Sequence, residues 1–379
     1  MKFKVNRASL LEHLNHVSKA LAVKTPLPIL TCIKCEVSEE GVSLTASDSD
    51  ITIQTFLPIE VNQTLVLKIE KEGKIALPGK YFIELIKKSN EETLEISANE
   101  QLQVTIKNGR NKYKLNGLDV VNYPNIDFIQ SEQKITIDEK TLKKIIHQTS
   151  FSAAVNLNRP ILTGVQFAFK DDVLECVATD SFRLSKCFIE MDQSIEPISF
   201  TIPKKSLVEL GKLLKDSTEK VELVIQRNQV AFRFDYMSFQ TRLLDGIFPS
   251  TKEFVPAAFN TEIGVEKSEL YKAVDRASLM SKDQMSNVIR LRSFEDEEKL
   301  VIIARSPEIG EIQEELDINI ISGVSIDIAC SSVYLLDALK AFEGDEIILG
   351  YNGTMRPFVI NDVENKEMLQ LIVPVRIDA

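Results

Sequence analysis

Apolar residues along the chain fall into two alternating rhythms, and the alternation itself repeats. Behind a short strand-like run, Phe3-Lys4-Val5, residues Leu10, Leu11, Leu14, Val17 and Leu21 recur at helical spacing. Segments of period two follow, among them Val42-Ser43-Leu44-Thr45, Ile51-Thr52-Ile53-Gln54-Thr55 and Leu65-Val66-Leu67-Lys68-Ile69, each predicting a strand with one face inward. A second helix is predicted from about Pro78 to Lys88, with Pro78 suited to its first turn. Three more short strands are predicted around Glu95-Ile96-Ser97, Gln103-Val104-Thr105-Ile106 and Tyr113-Lys114-Leu115. The order begins again at Ile135-Thr136-Ile137, where Asp138 is placed to cap a helix carrying Leu142, Ile145 and Ile146. It begins a third time near Thr261-Glu262-Ile263-Gly264-Val265.

The six predicted helical segments are 7–21, 80–88, 138–148, 204–215, 266–276 and 331–342. In the second helix of each copy an acid lies amid apolar residues; these acids, Glu84, Glu209 and Asp337, are 125 and then 128 residues apart. Leu27-Pro28-Ile29-Leu30-Thr31 matches Arg159-Pro160-Ile161-Leu162-Thr163 at an offset of 132. Thr45-Ala46-Ser47-Asp48-Ser49 matches Val177-Ala178-Thr179-Asp180-Ser181 at the same offset, with Ala304-Arg305-Ser306-Pro307 a weaker third copy. Such a period is too long for a solenoid repeat and has the length of a whole domain. The expected architecture is α+β: three tandem similar domains, 1–128, 129–255 and 256–379, each packing two helices on antiparallel sheet. Pro-containing stretches at 118–132 and 247–260 are the expected linkers, too short for flexible tethers.

Hydrophobic residues make up 44% of the chain and charged ones 27%, which fits a folded protein rather than a disordered one. No apolar run approaches the roughly 20 residues of a membrane span, and the first residues lack the apolar core of a signal peptide. With an odd number of cysteines, five, a reducing compartment and hence the cytoplasm is expected. Cys32 and Cys35 form a C-x-x-C, but inside a strand-like run residues three apart face opposite sides of a sheet. The other cysteines are isolated, and all five read as ordinary thiols.

The net charge of −11 argues against a nucleic-acid partner until the charges are sorted. The six helical segments hold 16 Lys or Arg against 9 Asp or Glu, a net of +7 that leaves −18 for the rest of the chain. Basic charge is thus concentrated on the helices and acidic charge elsewhere. Lys as a good helix former suits helix surfaces, but Glu would suit them equally, so the imbalance also fits a basic surface for a phosphate-bearing partner.

Candidate catalytic groups are sparse. His13 and His16 are spaced for two metal ligands but lack an evident third, and His147 lies on a basic helix face. Asp48 and Asp50 have the chemistry to bind a cation or act as acid and base, yet the second copy keeps only Asp180, so a turn satisfied by Asp and Ser is the simpler reading. Phosphate loops, dinucleotide fingerprints and nucleophile elbows are absent. No catalytic residue, metal or cofactor is expected.

The repeat, together with Leu27-Pro28-Ile29-Leu30, Ala178-Thr179-Asp180-Ser181-Phe182-Arg183-Leu184, Leu243-Leu244-Asp245-Gly246-Ile247-Phe248-Pro249 and Val373-Pro374-Val375-Arg376, closely resembles the bacterial sliding clamps, the beta subunits of DNA polymerase III. The resemblance covers essentially the whole chain. It implies a head-to-tail homodimeric ring that encircles double-stranded DNA without reading sequence, is opened by a clamp loader, and tethers the replicative DNA polymerase and other proteins with a clamp-binding motif. The implied DNA-facing residues are Lys24, Lys80, Lys144, Arg159, Lys204, Lys205, Lys212 and Lys272. The implied partner-peptide pocket comprises Leu162, Thr179, Ser181, Phe182, Arg183, Leu184, Pro249, Met355, Pro357, Leu371, Ile372, Val373, Pro374, Val375 and Arg376, with apolar residues as anchor sites and Arg183 and Arg376 orienting the peptide. Phe182 stands where some members carry histidine, and Glu253 where some carry arginine. The implied dimer contact joins Tyr113 to Leu279 and Met280. Two readings from other classes remain: a metal-dependent phosphate enzyme using Asp48, Asp50 and the histidines, and a scaffold oligomer that never touches DNA.

Overall fold

The computed structural model describes residues 1–126, 128–129, 134–156, 158–281, 287–294, 297–323, 325–363 and 367–376. Part of the 118–132 linker lies outside the described residues. Each copy of the repeat produces two helices and two antiparallel sheets. In the first copy one sheet joins Lys2–Asn6, Leu67–Lys71, Thr93–Ala98, Gln103–Asn108 and Asn111–Asn116; the other joins Cys32–Ser38, Gly41–Ser47, Ile51–Pro58 and Gly73–Pro78.

Sheets of successive copies merge. Met237–Arg242 of the middle copy runs antiparallel to Ile51–Pro58, with Phe239 opposite Ile53 and Gln240 opposite Thr52, giving a sheet of eight strands. Met368–Ile372 of the third copy pairs in the same way with Arg183–Glu190, Leu371 opposite Leu184, giving a sheet of nine. The middle copy therefore lends one sheet to each of two compact units, residues 1–141 with 212–243 (unit 1) and residues 142–211 with 244–379 (unit 2). Among the described residues, Asn111–Asn116 and Gly310–Asp317 end their sheets with one side unpaired.

Among the described residues six α-helices form: α1 Arg7–Val17, α2 Gly79–Lys87, α3 Glu139–Thr149, α4 Lys204–Gly211, α5 Lys267–Ser281 and α6 Ser332–Lys340. Side-chain caps fix the starts of α1 and α3. The Asn6 side chain accepts from Ser9 N at 3.1 Å, and Asp138 accepts from Thr141 N at 2.8 Å, the cap its sequence position predicts. Pro78 precedes α2 rather than entering its first turn. Two helices, α1 and α4, end four residues earlier than their apolar spacing predicts. After Val17 the chain tightens into a 3-10 turn, Ser18–Ala20, and α4 stops at Gly211, which packs beside Ile146 of α3. Among the described residues no helix is long and apolar enough to cross a membrane.

All five cysteines are free and buried. Cys32 and Cys35 occupy one strand, as expected. Cys176 and Cys187 are not isolated in space: eleven residues apart in sequence, they become cross-strand partners through the register of their hairpin. Sequence spacing carries no such information, because the pairing is set by the turn between the strands.

In unit 1, α1 turns His13 and His16 toward a cavity of about 340 Å³ that is also lined by Thr55, Lys215 and Asp235. His13 Nδ1 hydrogen-bonds the Thr55 hydroxyl, and Lys215 pairs with Asp235 at 2.7 Å. Burial, then the neighbouring His16, holds the His13 imidazole down at about 4, with Glu12 opposing. The unfolded chain then binds a proton that the fold refuses, so the neutral imidazole's contribution is complete above about 6.5 and is lost as pH falls from there toward about 4. We expect unfolding free energy to decline across that window by on the order of 2 kcal/mol from this group. His13→Gln should flatten that decline in denaturant titrations at stepped pH, and an unchanged slope would contradict the assignment.

Candidate functional site

The Asp180 turn builds the most distinctive surface of unit 2. Asp180 Oδ1 accepts from Phe182 N at 2.9 Å and Arg183 N at 3.0 Å, while the Thr179 hydroxyl donates to the Arg183 carbonyl at 2.6 Å. Ser181 is forced to φ 79°, the left-handed region that side chains disfavour. Phe182 is thereby left 60% exposed, an apolar ring at a polar turn.

Beyond the turn the chain enters the Arg183–Glu190 strand, whose two faces differ. Leu184 points to a cluster with Leu162, Val177, Phe248, Val359 and Leu371, onto which Ile161, Val255, Phe259 and Val373 pack. Leu162 arrives there from a 3-10 turn, Pro160–Thr163. Ile372 is buried but alternates to the other face of its strand, away from this cluster. Of the other residues expected in the pocket, Pro249 and Met355 are exposed, and Pro357, Val373, Pro374 and Val375 are half-buried. Val373 N donates to the Phe182 carbonyl at 2.9 Å and Val375 N to the Ala329 carbonyl at 2.7 Å, which fixes the final stretch against the site. Arg376 and Glu253 are exposed. Sequence reading missed Val177, Phe248 and Val359; the two valines were findable as same-face neighbours of Leu184 and Leu371 once the strand order was known.

Arg183 has structural work that its place in a motif does not reveal. Its Nε donates to Asp180 at 3.0 Å, one terminal nitrogen to Asp337 at 2.8 Å and the other to the Phe151 carbonyl at 2.9 Å. The guanidinium also lies 4.4 Å from the centre of the Tyr334 ring. Asp337, on α6, is one of the three repeated acids. Nearby, the Lys204 ammonium donates to the same Phe151 carbonyl at 3.2 Å; burial, then the Arg183 charge, lowers its pKa.

The other cationic residues are dispersed. Lys80, Lys205 and Lys272 lie exposed on helices, Lys24, Arg159 and Lys212 lie exposed in connecting segments, and Lys144 is half-buried on α3, 3.2 Å from Glu343. Lys272 pairs with Glu269 at 2.8 Å. Within their observed bounds the six helices hold 12 Lys or Arg against 7 Asp or Glu, so the cationic excess persists. Tyr113 is half-buried on the open-edged strand Asn111–Asn116, Leu279 is 53% exposed on α5, and Met280 is half-buried.

The groups considered for catalysis do not assemble. Asp48 Oδ1 accepts from Asp50 N at 3.1 Å and Ile51 N at 2.8 Å, which makes it the counterpart of the Asp180 turn. Among the described residues no three His, Cys, Asp or Glu side chains converge as a metal would require.

Because Arg183 joins the 180 turn, α6 and the 3-10 turn Ser150–Ser152 after α3, Arg183→Lys should destabilise unit 2 by about 2 kcal/mol, since one ammonium cannot reproduce three fixed donors and a stacked plane. Denaturant unfolding followed by hydrogen exchange at Leu184 and Leu371 would measure this, and a neutral result would refute the keystone role.

Comparison with known proteins agrees with the repeat. Three family models match in order: the N-terminal domain of the DNA polymerase III beta subunit over residues 1–127, its central domain over 136–250 and its C-terminal domain over 252–376. The beta sliding clamp of Staphylococcus epidermidis is 37% identical over 376 residues, 99% of each chain, and that of Staphylococcus aureus 36% over the same share. Among solved structures, the DNA polymerase sliding clamp from Bacillus subtilis superposes with a TM-score of 0.95 at 39% identity, covering 100% of both chains. The DNA polymerase III beta chain from Streptococcus pneumoniae gives 0.94 at 32%, covering 99% of this chain and 100% of that one. With identity of this order along its full length and the three domain types in sequence, the chain belongs to the DNA polymerase III beta subunit family, the beta sliding clamps.

Proposed function

We propose that two copies of the chain close head to tail into a ring, and that a third sheet joint, left open in the single chain, closes it. The chain's function as a clamp follows from its family: it encircles duplex DNA and tethers the polymerase, and it is a processivity factor rather than an enzyme. The ring, the domain limits 1–128, 129–255 and 256–379, the clamp loader and the other clamp-binding proteins as partners, and a cytoplasmic location belong to the proposal.

One observation carries the ring. Asn111–Asn116 is the counterpart of Met237–Arg242 and of Met368–Ile372, while Gly310–Asp317 is the counterpart of Ile51–Pro58 and of Arg183–Glu190. Two of these pairings occur within the chain, and among the described residues the third has no partner strand. A long open edge invites pairing, and a second copy offers the complementary one. The register can be projected. Tyr113 pairs with Ile106 as Phe239 pairs with Phe232, and Ile312 pairs with Ala304 as Ile53 pairs with Ala46. Tyr113 then falls opposite Ile312, on the face shared with Leu279 and Met280 of α5, and Lys114 falls opposite Glu311. The edges also carry opposite charge: Lys112 and Lys114 on one, Glu311, Glu314, Glu315 and Asp317 on the other.

Within such a ring the helices' cationic excess faces phosphate. Lys24, Lys80, Lys144, Arg159, Lys204, Lys205, Lys212 and Lys272 attract the duplex without sequence preference. The Leu162–Leu184–Leu371 cluster, with exposed Phe182 and Met355 beside it, receives the apolar anchors of a partner peptide; Pro249, Pro357 and Val373 to Arg376 border it.

Two experiments test the assembly. Lys114→Glu should weaken the dimer about tenfold by placing like charges opposite one another, and adding Glu311→Lys should restore it in sedimentation velocity; a double variant as weak as the single one would reject the register. Protein loaded by a clamp loader onto nicked circular DNA should be lost when the DNA is linearised, and equal retention on circle and line would reject topological binding.

A further inference from the structure

Unit 1 repeats the frame of the peptide site bond for bond. The 3-10 turns Pro28–Thr31 and Pro160–Thr163 are each closed by a threonine hydroxyl donating to the proline carbonyl at 2.7 Å. Asp48 and Asp180 each hold a turn through two backbone N–H groups, and the following serines have φ 83° and 79°. Arg242 N donates to the Asp50 carbonyl at 3.2 Å, just as Val373 N donates to the Phe182 carbonyl at 2.9 Å. Tyr123-Pro124 stands where Phe248-Pro249 stands, and a cavity of about 370 Å³ opens between these parts.

The lining is what differs. Thr52 and Gln240 face each other where Leu184 and Leu371 do, Asp50 replaces Phe182, and Arg242 replaces Val373. The Gln240 amide donates to Gln229 Oε1 at 2.6 Å and accepts from Ile129 N at 3.2 Å, so the floor is a satisfied polar network. An apolar anchor placed there would dehydrate the Asp50 carboxylate and the Arg242 guanidinium while supplying no hydrogen bond in return.

We propose that this cavity is a second peptide-site frame, and that Asp50, Thr52, Gln240 and Arg242 are the specificity residues that close it to apolar-anchored peptides. The inference rests on the peptide-site reading of unit 2. A partner peptide thereby finds one receptive frame per chain although the chain builds two. The four residues reverse the polarity of the lining without altering the turns, the register or the proline-bounded rim.

The test is stoichiometry. A synthetic hexapeptide with Leu and Phe anchors is titrated calorimetrically into the full-length protein and into the Asp50→Phe, Thr52→Leu, Gln240→Leu, Arg242→Val variant. One peptide per wild-type chain and two per variant chain are expected, the new site binding at least a hundredfold tighter than any residual wild-type binding there. Because Gln240→Leu also removes the acceptor for Ile129 N, a second variant retains Gln240, and thermal unfolding verifies the fold of each. One peptide per chain in the folded variants would overturn the inference. No peptide on the wild type but one on the variant would instead fault the unit 2 assignment and leave the second frame standing. Adding Leu184→Thr to the variant should remove one of its two sites, and loss of both would also overturn the proposal.

Discussion

Everything in this fold depends on where its sheet edges are spent. Backbone N–H and C=O groups along an edge strand must find partners, and each copy of the repeat makes two sheets, each ending in a strand fit to pair with a neighbouring copy. The first and middle copies meet through Ile51–Pro58 and Met237–Arg242, the middle and third through Arg183–Glu190 and Met368–Ile372. Because the same joint is made twice in a chain of three copies, one edge is left at each extreme of the series. Pairing of these two edges between copies would satisfy both, and on the proposed reading two copies close head to tail.

The two internal joints keep one register but wear opposite polarity. At the first, Ile53 and Phe239 form a fully buried pair on one face, while Thr52 and Gln240 line the cavity on the other. At the second, the corresponding buried pair is Ser185 and Gln370, tied to the Ser152 hydroxyl and the Gln148 carbonyl, while Leu184 and Leu371 take the pocket face. A buried serine–glutamine pair is tolerated because its hydrogen bonds are made internally. That arrangement leaves the apolar side of the strand pair free to serve as a floor for ligand. One-residue alternation thus lets a single backbone joint present a polar face in one place and an apolar face in another, and the proposed peptide site rests on the apolar one.

Much of this was legible before any coordinates, and what was not has identifiable causes. Apolar periodicity placed all six helices, and the 132-residue offset between Leu30 and Leu162 gave the copies their alignment. Periodicity alone could not see Gly211 ending α4 or the 3-10 tightening after Val17, because both are local backbone choices. The pairing of Cys176 with Cys187 and the joining of α6 to the 180 turn through Arg183 and Asp337 depend on tertiary register, which no spacing rule contains. The merging of copies across sheets was likewise hidden, since each strand's alternation reads the same whether its neighbour belongs to its own copy or to the next.

On the proposed reading, the modest strength of the cationic lining is a requirement rather than a shortfall. A protein held on DNA by closure needs no affinity for any one phosphate, and strong contacts would resist sliding. Several of the proposed lysines are already restrained within the chain: Lys144 lies 3.2 Å from Glu343, Lys272 lies 2.8 Å from Glu269, and Lys204 donates to the Phe151 carbonyl. Each such partner competes with phosphate for the ammonium and shallows the attraction at that point. The net charge of −11 acts in the same direction, since the long-range field of the whole chain repels DNA. Entry then has to be driven by loading rather than by capture from solution, and retention is left to the continuity of the sheet joints.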